Sequence, residues 1–169
     1  MHCYLYHRLY AGGLVNGLYS TVEGRDTILL HKEYPTVARY QRGDDGRLAE
    51  SAQGRRRGAF DISIWDPRYI GECAHRKQKV LCAAELALNE CGPGNPHTLN
   101  DATKLSGPAN EIRYGYLLFF VRDSNDYRRN KKEIWENLED PAQRVRVAFV
   151  YVDADSKPKP QYLGEWGAV

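Results

Sequence analysis

The sequence predicts a single α/β domain built on a mixed central sheet with flanking helices. Apolar runs with strand character recur at 59–66, 79–88, 114–121 and 145–152. Segments with helical spacing stand before, between and after them, separated by stretches rich in Gly, Pro and Asn. The length, 169 residues, suits one domain with a sizeable core.

Each element follows from its local pattern. Tyr4, Leu5, Arg8, Leu9 and Leu14 suggest a first helix, weakened by Gly12-Gly13 and ending near Gly17. Thr27 to Tyr34 reads as a strand, or as the end of a helix running into one, and Pro35 should break it. Thr36 to Gln41 can resume as a strand. Gln41 to Gly58, rich in Gly, Asp, Arg and Ser, reads as a mobile loop. Two strands follow, Ala59 to Asp66 and Lys79 to Leu88, joined by a long hairpin connection from Pro67 to Gln78. Residues 89–96 are a loop by composition. Thr98 or Asn100 is placed to cap a helix running to about Leu105, with Asp101 in its first turn, where negative charge suits the helix dipole. Gly107-Pro108 interrupts it. Tyr114 to Val121 predicts a buried strand, and Asp126 to Leu138 an amphipathic helix with Ile134, Trp135 and Leu138 on its core side. Val145 to Val152 is the expected final strand, followed by a Lys/Pro tail segment from Ser156 to Pro160.

The formal charge of +2 says little about partners, but the distribution of charge says more. Basic clusters stand at Arg55-Arg56-Arg57, at Arg76-Lys77-Gln78-Lys79 and at Arg128 to Lys132. Gathered on one face they would attract a polyanion; taken singly, each is a solvated patch. The four cysteines, Cys3, Cys73, Cys82 and Cys91, lack the spacing of a zinc knuckle, so reduced thiols are expected. No run is long and apolar enough to span a membrane, and Met1 to Tyr19 reads poorly as a secretory signal. A cytoplasmic protein is the expectation.

The most informative feature is a pair of acids. Side chains alternate along a strand, so Asp61 shares a face with Ser63 and Trp65, and Glu85 shares one with Leu81, Ala83 and Ala87. Folding the two runs antiparallel about Cys73 sets Asp61 opposite Glu85. Adjacent carboxylates on a mostly apolar sheet repel unless something positive lies between them, and a divalent metal is the simplest candidate. The bland reading also stands: Asp61 as an ordinary strand-edge residue, and Glu85 in a structural salt bridge with Lys104 or Arg113. Asp66 is the fallback for Asp61 if the register differs.

These residues resemble the motifs of the PD-(D/E)xK nuclease superfamily. Phe60-Asp61-Ile62-Ser63-Ile64 looks like its first motif and Ala84-Glu85-Leu86-Ala87-Leu88 like its second. Glu33 resembles the earlier acid of many relatives, and Asp101-Ala102-Thr103-Lys104-Leu105 the helical segment after the second motif. The resemblance covers roughly Asp26 to Val152. It implies a restriction-endonuclease-like αβββαβ core and hydrolysis of DNA phosphodiester bonds. It also implies Mg²⁺ or Mn²⁺ held by Asp61, Glu85, the carbonyl of Leu86 and Glu33. Arg55, Arg56, Arg57, Arg76, Lys77 and Lys79 would follow the phosphate backbone. An enzyme cutting both strands commonly works as a homodimer. Ala87 departs from the pattern, because it stands where the family has its catalytic lysine. Three explanations stay open: Lys104 reaches the same space, the chain is an inactive relative, or alanine has been substituted for lysine. The last is preferred because every other motif stands. On that reading metal and DNA bind, cleavage is weak or absent, and Ala87→Lys raises it. The runner-up is a nuclease-fold module without catalysis that binds nucleic acid or a protein.

Overall fold

The computed structural model describes residues 2–13, 15–74, 78–88, 96–121, 145–152 and 158–165. The helix expected over 126–138, the basic cluster it carries, and His75, Arg76, Lys77 and Cys91 lie outside the described residues.

The chain opens with helix α1 (His2–Ala11) and a two-stranded ladder, β1 (Tyr19–Ser20) with β2 (Asp26–Thr27). The main sheet comprises β3 (Leu30–Arg42), β4 (Leu48–Glu50), β5 (Arg56–Trp65), β6 (Val80–Leu88), β7 (Tyr114–Val121), β8 (Val145–Val152) and β9 (Pro158–Glu165). Helix α2 (Pro96–Ser106) connects β6 to β7. The seven strands are ordered β4-β3-β5-β6-β7-β8-β9. β6, β7 and β8 are mutually parallel and every other neighbouring pair is antiparallel, so the fold is mixed α/β. No helix among the described residues is long and apolar enough to cross a membrane.

α1 ends just before Gly12-Gly13, short of the expected Gly17; Gly13, at φ +76°, donates its N–H to Tyr10 O at 3.1 Å. Leu5, Tyr6 and Leu9 pack it onto the core. Strand β3 does not break at Pro35. Over Leu30–Pro35 it pairs with β5, while β4 covers it only at Tyr40–Arg42. An edge position leaves one side of the backbone without a ladder to serve, which is where a strand tolerates proline. Between Pro35 and Arg39 the register shifts, four steps on β3 passing two on β5.

Gln41 to Gly58 is not one loop. Arg42 turns through Gly43 and Gly46 (φ +80°) into β4, and Leu48 N donates to Asn100 Oδ1 of α2 at 2.7 Å. A tight hairpin has the same Gly/Asp composition as a loop, which hides it in the sequence. Helix α2 starts at Pro96, ahead of both expected caps, since proline suits a first helical position. Asp101 therefore falls in the second turn. The last strand is β9, which includes part of the expected tail segment. Pro158 and Pro160 stand two apart, so the N–H groups they lack lie on one side of an edge strand, where no partner is required.

Trp65, Phe60, Phe119, Leu30 and Leu117 form the fully buried centre. Burial of each such side chain contributes about 2–3 kcal/mol. On α2, Thr98, Ala102 and Leu105 are buried at i, i+4 and i+7, which fixes the face the helix turns inward and leaves Asp101 and Lys104 beside that stripe.

Candidate active site

β5 and β6 pair with Ile62 opposite Ala84, Ser63 opposite Ala83 and Ile64 opposite Cys82. One step further along, Asp61 comes level with Glu85. The regular ladder stops there, and the Asp61 carboxylate takes over as partner: Leu86 N donates to its Oδ2 at 2.8 Å. In an extended strand a residue's N–H and C=O point the same way, so the Leu86 carbonyl also faces β5. Glu85 lies on an inner strand, level with Leu117 of β7, and is only 3% exposed.

The positive charge between the acids comes from α2. Asp101 and Lys104, three residues apart, share one helical face. Lys104 Nζ lies 2.6 Å from Glu85 Oε1 and 2.9 Å from Asp101 Oδ1, and it donates to Ala59 O at 3.2 Å. The Glu85 pair is close in distance, yet Oε1 takes no well-directed hydrogen bond. Of the two partners weighed for Glu85, Lys104 is the one in place; Arg113 instead leans over the Tyr114 ring at 5.4 Å.

Burial dominates the electrostatics. It pushes the Glu85 carboxyl up to about 9; Lys104 opposes this, while Asp101 and Asp61 reinforce it. Burial likewise raises Asp101, again against Lys104 and with Asp61. For Lys104 burial works against the charge, but the Glu85 and Asp101 carboxylates outweigh it and hold the ammonium above the usual lysine range. Three carboxylates share one ammonium in a largely closed site, so the cluster retains a proton that an added cation would displace.

The remaining sequence candidates divide. Glu33 is exposed on β3, between the pairs Lys32–Ile62 and Tyr34–Phe60 and so level with Asp61. Its φ of +51° is a strained conformation for a residue with a side chain. The charges that act most on Glu85 are Lys104, Asp101 and Asp61, and Glu33 is not among them. Ala87 is half-buried, two residues beyond Glu85 and level with Phe119. Asp66 belongs elsewhere: it accepts from Arg68 N and Nε and caps the 3₁₀ turn Pro67–Tyr69. Arg55, Arg56 and Arg57 are exposed at the start of β5, with Arg57 opposite Arg39. Lys79 stands 4.6 Å over the Tyr69 ring and 3.5 Å from Glu111 Oε2. Arg57 and Lys79 meet in the lining of one cleft of about 360 Å³, together with Asn110 and Glu111. Asp101 lies in the second turn rather than the first, and the Asp101-to-Lys104 spacing of the resemblance brings it beside Lys104 in the cluster.

Among the described residues, no group of three or more His, Cys, Asp or Glu side chains is arranged to hold a metal ion. The donor chemistry nevertheless suits a hard cation. Mg²⁺ keeps much of its water and commonly uses one or two carboxylates plus substrate phosphate, which Asp61, Glu85 and the Leu86 carbonyl can supply. No protein-family model, curated protein or solved structure matches the chain.

Proposed function

We propose that the protein is a metal-dependent nuclease acting on DNA, with β3, β5, β6, α2 and β7 as the ββ-β-α-β part of a restriction-endonuclease-like core entered by α1. In this reading Lys104 takes the role that residue 87 has in that superfamily. The observation that carries it is the Lys104 ammonium, delivered by the helix after the Glu85 strand to within 2.6 Å of Glu85 Oε1. Asp61 and Glu85, with the Leu86 carbonyl, would hold Mg²⁺ or Mn²⁺, and Glu33, level with Asp61 on the next strand, would complete the shell directly or through water. When bound, the ion lowers the pKa of water and neutralises phosphoryl oxygens. Lys104 contributes the rest of the positive charge and a donor for the attacking water or a phosphate oxygen. Arg57 and Lys79 bring positive charge to a cleft that Glu111 also lines, a source of backbone affinity without sequence reading.

The test is plasmid cleavage with Mg²⁺ or Mn²⁺. The chain as it stands should cleave. Lys104→Ala should lower the rate on the order of 10²–10³. Adding Ala87→Lys to Lys104→Ala should restore part of it. Ala87→Lys alone should bring no gain, because a second ammonium would crowd the first, whereas the sequence by itself implies a gain. Equal rates for the parent chain and Lys104→Ala would refute the assignment. The second reading, a non-catalytic module, draws on the same contact, since Lys104 already supplies positive charge to the acids without any metal. DNA binding with no cleavage by the parent chain would favour it.

A further inference from the structure

Gly58 lies in β5, three residues before Asp61, and its backbone does not call for glycine. The glycines at positive φ among the described residues are Gly13, Gly24 and Gly46. Glycine inside a strand weakens it and commonly marks the close approach of another group. Here the approaching group is Lys104: a Cβ placed on residue 58 would meet Lys104 Cδ at 2.8 Å and Cγ at 3.5 Å. The lysine stem thus crosses β5 at its one position without a side chain. Just beyond that crossing its ammonium donates to Ala59 O at 3.2 Å. Asp101 holds the same ammonium from the helix side at 2.9 Å, and is itself mostly withdrawn from solvent, its side chain 24% exposed. A half-buried carboxylate costs desolvation, and from the second turn Asp101 does little for the helix dipole. A lysine carried on a long flexible stem must be confined if its charge is to stand at one point.

We propose that Gly58 and Asp101 are positioning residues for Lys104: Gly58 opens the path for its stem, and Asp101 fixes its ammonium against Glu85. This rests on Lys104 being the cation of the site. Nothing in it requires glycine or aspartate for the fold as such. The clash introduced by Gly58→Ala falls on the middle of a flexible side chain, so the lysine is displaced rather than the backbone.

The full chain, acetylated with acetic anhydride under native conditions and read residue by residue in a mass spectrometer, tests it. Packed along β5 and held between carboxylates, Lys104 is shielded from reagent and should react slowly. In Gly58→Ala and in Asp101→Asn its rate should rise about ten-fold as the ammonium is released to reagent. Lys32 and Lys79 should not change, and the melting transition should remain cooperative. Should Gly58→Ala fail to fold, Asp101→Asn against Asp101→Glu decides, with only Asn releasing the lysine. In a cleavage assay the same variants should lower kcat while leaving KM for DNA unchanged. Unchanged Lys104 labelling in folded variants would overturn the proposal, even if cleavage were observed. Altered labelling with no cleavage in any form would uphold the positioning and remove the nuclease reading instead.

Discussion

Lys104→Met should destabilise the protein by an amount that depends on pH. The methionine keeps most of the stem that packs past Gly58 and removes only the charge. The Lys104 and Glu85 side chains are 13% and 3% exposed, so the pair is buried, and removing one member of such a pair costs about 3–5 kcal/mol when the other stays ionised. Glu85 can avoid this at low pH, because its carboxyl titrates at about 9. At pH 5 it is neutral with or without the lysine. The loss then reduces to the Asp101 and Ala59 contacts of Lys104, about 1–2 kcal/mol together. At pH 9 the parent carboxyl is half ionised, and losing its partner adds only about 0.4 kcal/mol (RT ln 2); at pH 10 the addition is about 1.4 kcal/mol, bringing the loss toward the 3–5 kcal/mol of a fully ionised pair. Lys104 itself remains charged at both pH values, since its carboxylate partners hold it above the usual lysine range. Urea unfolding of both proteins at pH 5 and pH 10, extrapolated linearly, reads the difference. An equal loss at the two pH values, or less than about 1 kcal/mol at pH 10, would show that the ammonium and Glu85 are not a closed pair, contrary to the buried geometry.

The unmodified protein should melt at progressively lower temperature as pH rises from about 5 to 9. The Glu85 carboxyl is raised from 4.5 to about 9, so the native state binds the extra proton across that window and the stabilisation is lost as it leaves; Glu85→Gln should flatten the slope. Asn110→Ala should cost about 2–3 kcal/mol in urea unfolding, because this 2%-exposed side chain accepts from Ala38 N and donates to Tyr40 Oη and Lys104 O. Asp61→Asn should stay within about 1 kcal/mol of the parent, its amide oxygen still accepting from Leu86 N, while Mn²⁺ binding by calorimetry disappears; undiminished binding would remove Asp61 from the ligand set.

Local pattern made much of this legible. Asp61 and Glu85 stand twelve residues either side of Cys73, so a hairpin folded about Cys73 pairs them and alternation puts both acids on one face. The runs at 114–121 and 145–152 match β7 and β8 because apolar residues bounded by charge have few other places to go. The errors fell where neighbours override local preference. Pro35 sits inside a strand because that stretch of β3 is an edge, and β9 accommodates two prolines for the same reason. The β3–β4 hairpin depends on Asn100 from a helix far along the chain.

Which cation faces the buried acids was a question that alternation and spacing could not answer. It turns on where α2 docks, on the register of Lys104 along it, and on a strand with no side chain at residue 58 to block the stem. Those are contacts between segments distant in sequence, and a charge so thoroughly withdrawn from water accepts whichever partner the packing brings within a few ångströms.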